Sequence, residues 1–162
     1  MFCQSLVLAR NPRDELAPGL MGGNLWYFGD SVDSALTAAE RGVEAVKKIP
    51  GVIAPFPGGI AASGSKAGSR YDFMIASTYE KFCPTLQQKL GDQAGLPAGV
   101  QSVMEIIMDG RDLASIVQAT QAAIEASRDT PGLIMISAGN YGGRLGKSFV
   151  YLDPAKQPQP KT

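Results

Sequence analysis

Residues 49–53 read IPGVI, and 81 residues further on residues 130–134 read TPGLI. Sliding the chain over itself by that interval makes ten of 44 positions identical between Gly23 and Lys66. The matched pairs include Gly29/Gly110, Ser34/Ser115, Ala38/Ala119, Glu44/Glu125, Gly58/Gly139 and Lys66/Lys147. The order of elements around each copy is also the same. NLWYFGD (24–30) and VMEIIMDG (103–110) are aromatic or β-branched runs that end in turn residues, the mark of a strand. After the first, with Asp30 as its expected cap, Val32, Leu36, Ala39, Val43 and Val46 recur at helical spacing. After the second, Leu113, Ile116, Val117, Thr120 and Ile124 do the same. Pro50-Gly51 and Pro131-Gly132 then stop each helix and turn the chain into VIAPF and LIMISA.

Two successive β-α-β units predict an α+β, ferredoxin-like split β-α-β sandwich with two helices on one sheet face. Between the units lies an insertion of about 45 residues, Pro55 to Val100, a length that in a compact domain usually serves function. It carries a glycine-rich loop, a further expected strand RYDFMIAS (70–77), and the turn-rich KFCPTLQQKLGDQAGLPAG (81–99). At 162 residues the chain fits one domain, expected over 1–153. The tail PAKQPQPKT (154–162) is expected to be disordered. The N-terminal MFCQSLVLAR reads as a strand, since no basic residue precedes its apolar patch.

Composition excludes several classes of function. Fifteen basic and fifteen acidic residues cancel, which argues against a nucleic-acid binder. No apolar run is long enough for a spanning helix, and two distant cysteines make no disulfide framework, so a reduced, cytoplasmic setting is expected. The absence of histidine removes Ser-His-Asp and Cys-His catalysis and histidine-ligated metals. Chemistry must run on carboxylates, lysines, hydroxyls or backbone amides.

The two glycine loops invite a phosphate-binding reading, which their spacing rejects. GIAASGSKA (59–67) places Ser65 before Lys66 where GxxxxGK[ST] needs glycine. YGGRLGKS (141–148) begins with Tyr141 in place of the first glycine, and strand-like sequence follows both loops where a helix is required. The bland reading of the glycines is tight turns and close packing. The functional one has Gly58, Gly59, Ser63, Ser65, Lys66, Arg70 and Lys147 presenting donors to an anionic or carbonyl ligand. Asn140 and Tyr141, and Glu80 in STYEKF, are further candidate contacts, against a left-handed turn and a salt bridge respectively. Cys83, without histidine to activate it, reads as a packed thiol. Asp30, Asp109 and Asp112 read as caps and turn formers.

Glu105 stands out among the carboxylates. In strand geometry it shares a face with Val103 and Ile107, where desolvation would raise its pKa and suit it to proton transfer. The alternative is an edge-strand residue turned to solvent.

MGGNLWYFGD (21–30), PGVIAPFPGGIAASGSKAGSRYDFMIASTYEKFCPTL (50–86), EIIMDG (105–110) and PGLIMISAGNYGGRLGK (131–147) together resemble the formylmethanofuran:tetrahydromethanopterin formyltransferases, from about Gly22 to Leu152. The resemblance implies the C-terminal lobe of a protein about twice this length. It implies formyl transfer between methanofuran and N5 of tetrahydromethanopterin, with these C1 carriers as substrates and no metal or bound cofactor. It also implies a homo-oligomer or a complex with formyltransferase/hydrolase subunits, and Glu105 as the buried acid-base residue. The missing lobe keeps a second expectation open, a catalytically incomplete half-enzyme that binds pterin or serves assembly.

Overall fold

The interval of 81 residues that relates the two sequence halves also relates their backbone elements. The structure is a computed structural model that describes residues 5–10, 16–62, 80–139 and 148–157. In the first half β2 (Leu16–Gly29) leads into α1 (Val32–Val46) and then β3 (Val52–Ile53). In the second, β5 (Ser102–Gly110) leads into α3 (Leu113–Ser127) and then β6 (Leu133–Ser137). The helices coincide residue for residue under the 81-residue shift. Each is followed by a glycine at φ 79°, Gly51 and Gly132, a left-handed conformation open to glycine without a Cβ penalty.

The sheet is antiparallel, with β6, β2, β5 and β3 in lateral order. Leu25 pairs with Ile106 at its centre. These two residues are also counterparts in the repeat, so a pseudo-twofold axis passes through that pair. Cross-linking hydrogen bonds obey the same symmetry. Asp30 N–H donates to Gly132 O at 3.0 Å, and Arg111 N–H donates to Gly51 O at 2.7 Å. Two short strands extend the sheet. β1 (Ser5–Arg10) pairs with the first half of β2, and β4 (Ile60–Ala62) pairs with β5 from Ile106 to Met104.

Both helices cover one face. Leu25, Tyr27, Ile106 and Met108 point from the sheet into Ala38, Ala39, Val43 and Val46 of α1 and Ile116, Ala119 and Ala123 of α3. Alanines at the helix surface let two helices lie side by side over a sheet that supplies the bulk. The opposite face carries Trp26, Phe28 and Val103, packed under Val100, Phe82 and Leu96. Phe82 meets the rings of Trp26 and Phe28 edge-on, with centroids 5.4 Å and 5.1 Å apart. The segment that carries it is a chain of tight turns with one short helix, α2 (Gln87–Leu90), in keeping with its glycines and prolines. No helix among the described residues is long and apolar enough to cross a membrane.

Two local expectations are corrected. Ser31, not Asp30, caps α1: its extended backbone lets the hydroxyl accept from Ser34 N–H at 3.2 Å. Asp30 instead accepts from the hydroxyls of Ser31 and Ser34. Asp112 is the cap of α3, and hydrogen bonds from Ser115 and Arg111 hold its carboxyl well down, at about 2. Asp109 is no turn former but a strand residue paired with Ile53. Pro154–Lys156 form a 3-10 turn because Asp153 accepts from Ala155 N–H, and Gln157 Oε1 accepts from Tyr151 N–H. The expected strand over residues 70–77 lies outside the described residues.

Candidate functional site

Glu105 sits on the face of the sheet that the helices leave free. β5 is an interior strand there, with Trp26 of β2 opposite Glu105 on one side and Ala61 of β4 on the other. Pairing carries the row one strand further, because Trp26 also faces Ser137 of β6. Cross-strand partners share a face, so Ala61, Glu105, Trp26 and Ser137 lie in one line across four strands. The solvent-facing edge position that remained open from sequence is therefore not the one Glu105 occupies.

Asn24 holds the carboxylate. Asn24 Nδ2 donates to Glu105 Oε1 at 2.9 Å. The indole of Trp26, its cross-strand neighbour, adds a weaker pull towards the charged form. Burial pushes the Glu105 carboxyl above the ordinary carboxylate range, and the neighbouring Asn24 and Trp26 side chains pull against that rise without cancelling it. Asn24 is itself held from behind, its Oδ1 accepting from Gly139 N–H at 3.0 Å. Gly139 is required by close approach: a Cβ there would lie 2.5 Å from Trp26 Cη2, in a ring that is only 2 % exposed.

A raised carboxyl pKa in the folded state favours the protonated form, so ionised Glu105 costs stability at neutral pH. That penalty is absent below the ordinary glutamate pKa and appears as pH rises through the elevated folded value. Glu105→Gln is therefore expected to melt above the parent chain at pH 7. The advantage should fade towards pH 3, and melting curves recorded across that range check it.

The remaining candidates divide by location. Gly58 and Gly59 close a 3-10 turn against α1, beside a groove of about 490 Å³ lined by Leu36, Glu40, Val43, Pro57 and Ile60. A Cβ on Gly59 would press on Val43 at 2.8 Å, so Gly59 permits the close approach of this turn to α1. Of Glu80 only the backbone is described, at the start of the turn Glu80–Phe82. Ser63, Ser65, Lys66, Arg70, Asn140, Tyr141 and Lys147 lie outside the described residues. Their segments leave from described strand ends. Ala62 follows Ala61, the pairing partner of Glu105, and Gly139 touches both Asn24 and Trp26. Cys83 is buried, with its Sγ 3.1 Å from Thr85 Oγ1. Among the described residues no three Cys, Asp or Glu side chains gather as metal ligands.

Sequence reasoning missed Asn24 and Trp26. The repeat contained the signal for the first, since Asn24 is the residue 81 positions before Glu105. Trp26 is the only tryptophan in the chain, but its place beside Glu105 depends on strand register, which no local pattern stated.

The family model for the FTR proximal lobe matches residues 12–154. A formylmethanofuran–tetrahydromethanopterin formyltransferase from Methanosarcina acetivorans is 53 % identical over 130 residues, covering 80 % of this chain and 43 % of that protein. One from Archaeoglobus fulgidus is 44 % identical over 136 residues, covering 83 % of this chain and 46 % of that protein. The solved formyltransferase from Methanosarcina barkeri superposes with a TM-score of 0.73 at 48 % identity, over 82 % of this chain and 45 % of that one. The formyltransferase/hydrolase complex from Methylorubrum extorquens, solved with methylofuran, superposes with a TM-score of 0.70 at 33 % identity, over 92 % of this chain and 56 % of that one. The chain thus spans a little under half the length of these formyltransferase relatives.

Proposed function

The chain belongs to the FTR proximal-lobe family, and from that premise we propose that it serves formyl transfer between formylmethanofuran and N5 of tetrahydromethanopterin, with Glu105 passing the proton between the two amines. The observation that carries this is the carboxylate itself, desolvated on the sheet face that the helices do not cover and held there by the neutral donor of Asn24. The architecture is read as the ferredoxin-like split β-α-β arrangement, with Glu105 on the sheet face that the helices do not cover.

The chemistry needs what this face offers. N5 attacks the formyl carbon, a C–N bond forms, and the carbonyl π pair moves to oxygen as a tetrahedral oxyanion. The proton leaving N5 passes to the Glu105 carboxylate. Collapse of the oxyanion breaks the bond to the methanofuran nitrogen, which takes the proton back from Glu105 as it departs. The carboxylate ends as it began, and a formyl group has been exchanged for a proton. A residue that alternates in this way works best when its pKa lies near the operating pH, and burial moves Glu105 in that direction.

Backbone amides and hydroxyls aimed at the oxyanion would supply its stabilisation. Ser63 and Ser65, after β4, and Asn140 and Tyr141, after Gly139, are the residues we assign to that task and to substrate contact. Lys66, Arg70 and Lys147 are assigned to acidic groups on the carriers, and Glu80, Gly58 and Gly59 to the cleft wall. Alignment of the two carriers accounts for much of the remaining acceleration. A homo-oligomer, or a complex of the kind formed by the Methylorubrum extorquens relative, would complete the cleft in the cytoplasm.

One observation favours a second reading. A chain under half the length of its relatives can be a half-site that binds pterin or supports assembly without turnover. Formyl transfer by the purified 162-residue chain, with tetrahydromethanopterin binding measured by calorimetry, separates the two. Turnover is the expected result; binding without turnover selects the half-site, and a folded chain that does neither contradicts both.

A further inference from the structure

Asn24 and Glu105 are the same position of the repeated unit, 81 residues apart, and they hydrogen-bond to each other across the pseudo-twofold axis. One position of the unit therefore holds an amide in the first copy and a carboxylate in the second, placed so that each is the other's neighbour. The orientation of that amide is not free. A backbone N–H can only donate, so Gly139 N–H requires Oδ1 of Asn24 on its side, and Nδ2 is left pointing at Glu105 Oε1. Asn24 is 7 % exposed, which leaves it no solvent alternative.

We propose that Asn24 is a positioning residue for Glu105: pinned by the Gly139 amide, it presents a fixed donor that orients the carboxylate and favours its charged form. The functional consequence rests on the proton-transfer role of Glu105 given above, but the coupling between the two side chains does not. Nothing else charged competes for this task among the described residues. β2, β4 and β6 contain no ionisable aspartate, glutamate, lysine or arginine. The segment over this face packs through Phe82, Leu96 and Val100, with Lys81, Lys89 and Asp92 exposed. Asp109 shares the face of β5, four residues along and so roughly 13 Å away. The asymmetry within the repeat has a direct reading: a carboxylate at both positions would set two like charges side by side.

The test is a ¹³C NMR titration of the Glu105 side-chain carboxyl in the full 162-residue chain, its signal assigned by loss in Glu105→Gln. Asn24→Asp keeps the shape and the acceptor for Gly139 but replaces the donor with a second carboxylate. Its Glu105 midpoint is expected to move up by about one pH unit or more. Asn24→Ala, which removes the donor together with the acceptor for Gly139 and adds no charge, should move it up by less. Where formyl transfer is measurable, the acid limb of kcat should follow the same order while KM changes little. Unmoved or lowered midpoints in folded variants overturn the coupling. The expected upward shifts combined with absent turnover would leave the coupling standing and count against the proposed reaction alone.

Discussion

Glu105→Gln should lower kcat for formyl transfer by about 10²–10⁴, equivalent to roughly 3–5 kcal/mol of transition-state stabilisation, with KM within a few-fold of the parent. Gln can still accept the Asn24 hydrogen bond through its amide oxygen, so the geometry of the face should survive. What it cannot do is accept the N5 proton and return it to the departing nitrogen. The split between kcat and KM is the informative part. A rise in KM at constant kcat would assign Glu105 to substrate binding. Because the same substitution should raise the melting temperature at neutral pH, lost activity cannot be ascribed to lost structure.

Leu25→Ala is expected to have the largest effect on the fold, a loss of about 2–5 kcal/mol. Leu25 is fully buried and pairs with Ile106 on the pseudo-twofold axis, beneath both helices. A cavity there is lined by the two β-α-β units together, and neither can close it without shifting the other. Urea unfolding monitored by the single tryptophan measures the change, since Trp26 lies next in the strand on the opposite face. A loss well below 1 kcal/mol would mean that the two units do not depend on this shared core.

The repeat made most of this architecture legible. Strand, helix and Pro-Gly turn recur at 81 residues, and the helical bounds follow the same shift. What local pattern could not show was the lateral order of strands, which sets Trp26 beside Glu105 and Asn24 diagonal to it. Those contacts come from residues about 80 apart, and propensity is blind to them. The cap of α1 slipped by one residue because Asp30 and Ser31 are both good caps and only the backbone angle selects between them. In sequence Gly58 and Gly59 read as part of the loop that follows them, and the structure adds a close approach of Gly59 to Val43. Glycine in a sequence marks a constraint without saying which neighbour imposes it.

The central claim is that Glu105 handles the proton in formyl transfer, and the pH dependence of kcat tests it most directly when set against the titration of the Glu105 carboxyl. The expected result is that kcat in the direction of tetrahydromethanopterin formylation falls as pH drops through the Glu105 midpoint, itself above the ordinary carboxylate range, and that Glu105→Gln abolishes this limb. A rate that stays level while Glu105 becomes protonated would contradict it.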